Sequence, residues 1–244
     1  MNTVKINSLN TKMVAHRGMS GLETENSLPA FVAAGNRSYY GIECDIHVTK
    51  DGRIVVIHDS DTGRVALENI NIENSTFDEI RAIKLKNMTK LSPESNTSRG
   101  DLIIPTLTEY VSICKKYDKK CVIELKNEFE MKYIEQTVDE IKALDYLDGV
   151  IFISFSFNNM VKIRELLPYQ SAQFLTCKFD EELIKNLDRY NLDLDIHHVD
   201  VTKDQVDTVH AHGHKINCWT VDDKSRAEAL AEMGVDFITS NILE

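Results

Sequence analysis

Three short segments concentrate residues able to do chemistry. In Gly41-Ile42-Glu43-Cys44-Asp45-Ile46-His47, an extended chain sets Glu43, Asp45 and His47 on one face and Ile42, Cys44 and Ile46 on the other. Two carboxylates two residues apart on a buried strand need a neutralising partner. A hard divalent cation, Mg2+ or Ca2+, supplies one through oxygen ligands. Taken alone, the pair reads equally well as a structural ion pair. Val122-Ile123-Glu124-Leu125-Lys126 repeats the pattern, with Glu124 as a third oxygen donor and Lys126 as a phosphate contact or its rim partner. His16-Arg17-Gly18 and His58-Asp59 each stand where an apolar run gives way to a loop. Two imidazoles beside carboxylates and an arginine suit general acid–base chemistry near neutral pH, and the planar fork of Arg17 suits a phosphate.

Such groups must be carried by elements that bring them together. Strand-like apolar segments recur at Met13–His16, Gly41–Asp45, Cys121–Lys126, Val150–Ser154, Ala172–Thr176, Asp193–Ile196, Lys215–Trp219 and Asp236–Thr239. Helical patterns lie between them at Leu28–Ala34, Leu107–Tyr117, Met131–Leu144, Phe179–Leu187, Lys203–Ala211 and Lys224–Met233. Eight strand–helix units in 244 residues predict an α/β fold, a (β/α)8 barrel whose mouth gathers the strand-end carboxylates. An open doubly wound sheet is the alternative, but no Gly-x-Gly-x-x-Gly accompanies it. The segment 46–106 is too long for one crossover. Thr49-Lys50-Asp51-Gly52 signals a turn leading into Arg53–His58, so a hairpin and small insertion follow the second barrel strand within a single domain, 1–244. Leu91–Asp101 reads as the mobile stretch.

Composition narrows the partners. With 28 basic and 39 acidic side chains the net charge is -11, which argues against a nucleic-acid partner but not against a small phosphate ester beside a bound cation. No apolar run approaches a membrane span or a signal segment. Five cysteines, at 44, 114, 121, 177 and 218, form no Cys-x-x-Cys pair, so a reduced cytoplasmic protein is expected.

The motifs resemble the glycerophosphodiester phosphodiesterase family. Ala15-His16-Arg17-Gly18, Glu25-Asn26-Ser27, Gly41-Ile42-Glu43-Cys44-Asp45, Thr49-Lys50-Asp51-Gly52 and Val56-Ile57-His58-Asp59 occur in family order. Ile104-Pro105-Thr106-Leu107-Thr108-Glu109, Ile123-Glu124-Leu125-Lys126, Ser154-Phe155 and Asn217-Cys218-Trp219-Thr220-Val221 continue the series. The resemblance implies a phospholipase C-like barrel that cleaves glycerophosphodiesters to glycerol 3-phosphate and an alcohol with one divalent ion. It maps the metal ligands onto Glu43, Asp45 and Glu124, and the catalytic histidines onto His16 and His58. Arg17 and Lys126 map onto phosphate contacts, and Trp219 and Phe155 onto the glycerol subsite. The attacking group is left open between water and the glycerol 2-hydroxyl. The chain departs from the family in the loop Ser60-Asp61-Thr62-Gly63-Arg64-Val65 and in Thr239-Ser240-Asn241, where Thr-Asp is usual.

Two other readings stand beside this one: a phospholipid-directed enzyme of the sphingomyelinase-D-like type, and a catalytically silent phosphodiester-binding domain. Two further clusters are noted. Asp193, Asp195, His197 and His198 are read as barrel-mouth lining before a second metal site, and His210, His212 and His214 as helix-end histidines.

Overall fold

The computed structural model describes residues 2–88 and 99–244. Positions 91–98 of the stretch expected to be mobile lie outside the described residues. Eight parallel strands close into a barrel: β1 (Lys12–Ala15), β2 (Gly41–Val48), β4 (Lys120–Leu125), β5 (Val150–Ser154), β6 (Ala172–Thr176), β7 (Asp193–His197), β8 (Ile216–Trp219) and β9 (Phe237–Ser240). The order β1-β9-β8-β7-β6-β5-β4-β2 is completed by β1 pairing with β2, Val14 opposite Gly41. Strand β3 (Ile54–Val56) runs antiparallel to the far end of β2, with His47 opposite Val55.

The barrel forms because each strand has two buried faces of different character. Ile42, Cys44 and Ile46 of β2 face outward into the main core, packed with the helices. The inward face is divided. Val14, Val122, Ile151, Ile153 and Leu175 fill one part with apolar side chains. Gln173, Asp195, Asn217 and Thr239, all buried, place a polar wedge inside β6 to β9. The helices α1 (Leu28–Gly35), α3 (Leu107–Lys116), α4 (Met131–Ala143), α5 (Phe157–Leu166), α6 (Glu181–Tyr190), α7 (Lys203–Ala211) and α8 (Lys224–Glu232) surround the strands. Ser27, Thr106, Ser156, Asp180, Thr202 and Asp223 each cap one of them by accepting a backbone N–H of the first turn.

The insertion has its own small core. Val55, Ile57, Val65, Ile72, Ile80, Leu85, Leu102 and Ile104 pack together beside the barrel, with α2 (Phe77–Ala82) laid across them. Among the described residues no helix is long and apolar enough to cross a membrane.

The structure differs from the sequence expectation in three places. The stretch after Ser154 holds α5, which was not anticipated. Its inner face carries Asn159, a buried polar residue bonded to Phe129 N, Asn127 O and Ser154 Oγ, and this breaks the apolar stripe. Helix α6 starts later and runs further than Phe179–Leu187, because Asp180 is its cap and Asn191 ends it in the left-handed region. The short α2 went unseen because only Ile80 of its six residues is buried.

The two ends of the described chain are joined through the Glu244 carboxylate, which accepts bonds from Ser38 N at 2.7 Å and Thr3 Oγ1 at 2.5 Å and pairs with Lys5. Burial raises its pKa, but the bonds from Ser38, Thr3 and Lys5 outweigh that and hold it at about 2. A group so depressed stabilises fully above its unfolded value near 4.5 and loses that contribution as pH falls toward 2. Glu244→Gln is expected to cost about 1–3 kcal/mol at pH 7 in denaturant titration. The wild-type advantage should vanish in the same titration near pH 2.

Candidate active site

The acidic centre is assembled from two neighbouring strands. Asp45 on β2 is in register with Glu124 on β4, and Glu43 lies two residues earlier on the same inward face. One carboxylate oxygen from each of the three lies within 4.8 Å of the others. The three residues are 2%, 0% and 7% exposed for Glu43, Asp45 and Glu124, so water cannot disperse their charge. The effect on protonation is strong. Burial, with Asp45 next to it, pushes Glu43 well above the carboxylate range. Burial and Asp45 likewise push Glu124 up. Burial opposes the charge on Asp45 too, but Arg17 and Lys126 overcome it and hold this carboxyl below its ordinary value.

Two cations face these three carboxyls. Lys126 Nζ is 2.8 Å from Glu124 and 3.4 Å from Asp45 Oδ1, and Arg17 Nε is 3.3 Å from Asp45 Oδ2. Neither Asp45 Oδ1 nor Arg17 Nε has a well-aligned hydrogen bond. An all-oxygen donor set and one orphaned buried oxygen fit a hard divalent ion. Asn26 keeps Asp45 in place, its amide donating to Asp45 Oδ2 at 2.7 Å.

Arg17 occupies a bent loop after β1. It has φ 53° and Gly18 φ 75°, while the Arg17 N–H donates to Glu43 Oε2 at 2.7 Å. A Cβ on Gly18 would lie 2.7 Å from the Ala30 carbonyl carbon, so glycine alone lets the loop rest on α1.

The two histidines line the same cavity as Glu43 and Glu124. His16 Nδ1 is 2.8 Å from Asn241 Oδ1, which also accepts from Ser20 Oγ, while the Asn241 amide donates to Asp222. With Nδ1 donating to that oxygen, His16 presents Nε2, 4.0 Å from Glu43 Oε2. Burial and the adjacent Arg17 lower its pKa to about 4. His58 Nδ1 is 2.6 Å from Asp59 Oδ1, and burial lowers its pKa as well. Asp59 accepts from Arg64 Nε at 2.6 Å, Arg64 reaches Glu25 at 2.7 and 2.8 Å, and Glu25 accepts from Arg17 at 2.9 Å. One chain of charged contacts thus runs from His58 to Arg17.

A cavity of about 70 Å3 lies over the centre, lined by His16, Arg17, Glu43, His58, Glu124 and Lys126, with Phe155, Asp195, Trp219 and Thr239 completing its wall. Phe155 and Trp219 meet edge to face at 5.3 Å. All nine residues singled out from the sequence therefore surround this space or its acidic floor. A larger cavity of about 560 Å3, near Tyr40, Lys120 and Tyr146, has no such convergence.

Glu25, Asn26, Arg64, Asp222 and Asn241 were not assigned roles from the sequence. Glu25 and Asn26 were signalled only by their motif, and Arg64 and Asn241 only as departures from a pattern. The other clusters do not assemble: His210 pairs with Asp236, and His212 and His214 with Asp188. Asp193 accepts from Lys215 N at the start of β7, while Asp195 faces the cavity. Among the described residues the only group of three potential ligands is Glu43, Asp45 and Glu124.

Gly18→Ala tests the loop. Contact with Ala30 should lower stability by about 1–3 kcal/mol and displace Arg17 from Asp45. Thermal melts of the two proteins are the measurement.

The model of the glycerophosphoryl diester phosphodiesterase family matches residues 16–243. The chain is 29% identical over 234 residues to a glycerophosphodiester phosphodiesterase of Bacillus altitudinis, with 93% of each chain covered. It is 28% identical over 236 residues to one of Caldanaerobacter subterraneus, covering 96% of this chain and 95% of that one. A solved glycerophosphodiester phosphodiesterase of Parabacteroides distasonis superposes with a TM-score of 0.80 at 27% identity, over 95% and 93% of the two chains. An Oleispira antarctica phosphodiesterase, solved with the product sn-glycerol-3-phosphate, shares the fold with a TM-score of 0.84 at 23% identity, over 98% and 96%. A match that spans the barrel from its first histidine to its last strand makes this chain a member of the glycerophosphoryl diester phosphodiesterase family of enzymes.

Proposed function

We propose that the protein hydrolyses glycerophosphodiesters to glycerol 3-phosphate and an alcohol, with one divalent cation held by Glu43, Asp45 and Glu124 and with His16 and His58 moving the protons. The observation that carries this is the buried carboxylate trio at a cavity lined by two imidazoles, each with one ring nitrogen already tied. Family membership and the named activity of relatives matched over nearly their full length support it. A cation at the trio, Mg2+ or Ca2+, supplies charge neutralisation and Lewis-acid polarisation of the phosphoryl oxygens.

The protein's own groups do the rest. Arg17, fixed by Glu25 and Asp45, offers its guanidinium to a phosphoryl oxygen, and Lys126 adds positive charge on the opposite side of Asp45. Phe155 and Trp219 supply an apolar wall for the carbon chain of the glycerol. The imidazoles have different partners. His16 is held by a neutral amide oxygen and is neutral at pH 7, which suits the base that takes a proton from the nucleophile. His58 is tied at Nδ1 by the Asp59 carboxylate, which offsets part of the lowering that burial imposes on its pKa, and we assign it the role of the acid that protonates the leaving alcohol. We read the chain as one domain, in which 46–106 is an insertion that contributes His58, Asp59 and Arg64. Free cysteines, four buried and Cys177 exposed, support a reducing, cytoplasmic setting.

Release of glycerol 3-phosphate from glycerophosphocholine should be abolished by a chelator and restored by Mg2+ or Ca2+. Turnover that persists through exhaustive chelation would refute the cation's role. His16→Ala and His58→Ala should each lower kcat by roughly 10²–10⁴-fold on an alkyl leaving group. A p-nitrophenyl leaving group, which needs no acid, should rescue His58→Ala and not His16→Ala; the reverse result would exchange their roles.

A further inference from the structure

Asp195 is the one acidic residue of the cavity wall that belongs to none of the contacts above. It lies on the inward face of β7, opposite Asn217 of β8, with Leu194 and Ile196 on either side turned outward into the main core. It is 1% exposed and lines the catalytic cavity. Asn217 is its hydrogen-bonding neighbour, but its Oδ1 has no partner. The rest of the wedge is satisfied: Asn217 bonds Gln173 and Thr239 at 3.3 and 3.1 Å. On the neighbouring β8, the indole N–H of Trp219, which lines the same cavity, also lacks a partner. A buried carboxyl oxygen left unpaired is costly, and such groups persist where a ligand completes them. No basic side chain stands beside it, and burial with Glu124 nearby favours the uncharged carboxyl, so the missing partner is a neutral group such as a hydroxyl rather than a phosphate.

We infer that Asp195 is a specificity-determining residue whose free oxygen shares a hydrogen bond with a hydroxyl of the substrate's glycerol moiety, beside the Trp219–Phe155 wall. This rests on the hydrolase reading above and extends it from the phosphate to the polyol. The phosphoryl group is met by Arg17 and the acidic centre on β1, β2 and β4. The polyol is met from β7 and β8, which carry Asp195 and Trp219 into the same cavity. A site built to bond a substrate hydroxyl discriminates strongly against an analogue lacking it.

The test compares three p-nitrophenyl phosphodiesters, of glycerol, propane-1,2-diol and propane-1,3-diol. The wild-type kcat/KM should favour glycerol by roughly tenfold or more over at least one deoxy analogue. Asp195→Leu should erase that preference while raising the melting temperature, since an unpaired buried carboxyl is removed. Asp195→Ala serves the same comparison if leucine crowds the cavity. A preference retained in both variants overturns the inference. So does an equal loss on all three diesters with a lower melting temperature, which is what a purely structural carboxyl gives. If the wild type cleaves none of the three with Mg2+ or Ca2+, the hydrolase reading fails. Calorimetry then tests Asp195 separately: the affinity ratio of glycerol 3-phosphate to inorganic phosphate should fall about tenfold in the variants, and an unchanged ratio overturns the inference.

Discussion

Mutual repulsion among Glu43, Asp45 and Glu124 is the constraint around which the rest of this molecule is arranged. Three carboxyls within 4.8 Å, out of reach of water, are an unstable combination unless positive charge is brought to them. The chain brings two side-chain cations, and the barrel brings a geometry in which a third, inorganic one fits. Every nearby irregularity serves that end. The left-handed turn at Arg17 and Gly18 places a guanidinium beside Asp45. Asn26, itself at φ 49°, spends its amide on the same carboxylate. Strain and charge are concentrated at the C-terminal ends of the strands, where the packing of outer helices on apolar strand faces can hold them.

The histidines are held differently because they come from different parts of the fold. His16 hangs from β1 and is oriented by a residue following β9, its neighbour in the closed barrel. His58 follows β3 in the insertion and is oriented by the carboxylate next to it in sequence. Arg64 couples that insertion to the first loop through Glu25, so the small second core and the barrel share one charged network. The loop that departs from the family pattern is therefore part of the machinery that keeps His58 and Arg17 in relation to each other.

Much of this was legible in the residues. The period-two faces of Gly41–His47 and Val122–Lys126 placed three carboxylates on one side, and strand recurrence placed both segments in a barrel. What escaped was what depends on tertiary contact. Helix α5 was hidden because its buried face carries Asn159, whose partners lie in other segments. Asn241 was read as a missing aspartate, whereas its amide oxygen holds His16 and its amide nitrogen reaches the nearby Asp222. Asp195 was grouped with Asp193 and His197 by strand periodicity, but strand direction separates them. Asp193 sits at the entrance of β7 near Lys215, and only Asp195 reaches the cavity. Periodicity gives a face; depth along the barrel axis comes only from register.

The bond between His16 and Asn241 spans 225 positions of the chain. During synthesis the first imidazole, both β2 carboxylates and the second imidazole leave the ribosome long before the amide that orients the first of them. Until β9 docks between β1 and β8, the His16 ring has no partner to fix its tautomer. Such long-range closure is slow to form and comes late. Orientation of His16 thus reports on completion of the barrel, and a polypeptide truncated shortly before its end would carry all three clustered carboxyls yet lack the amide that orients this imidazole.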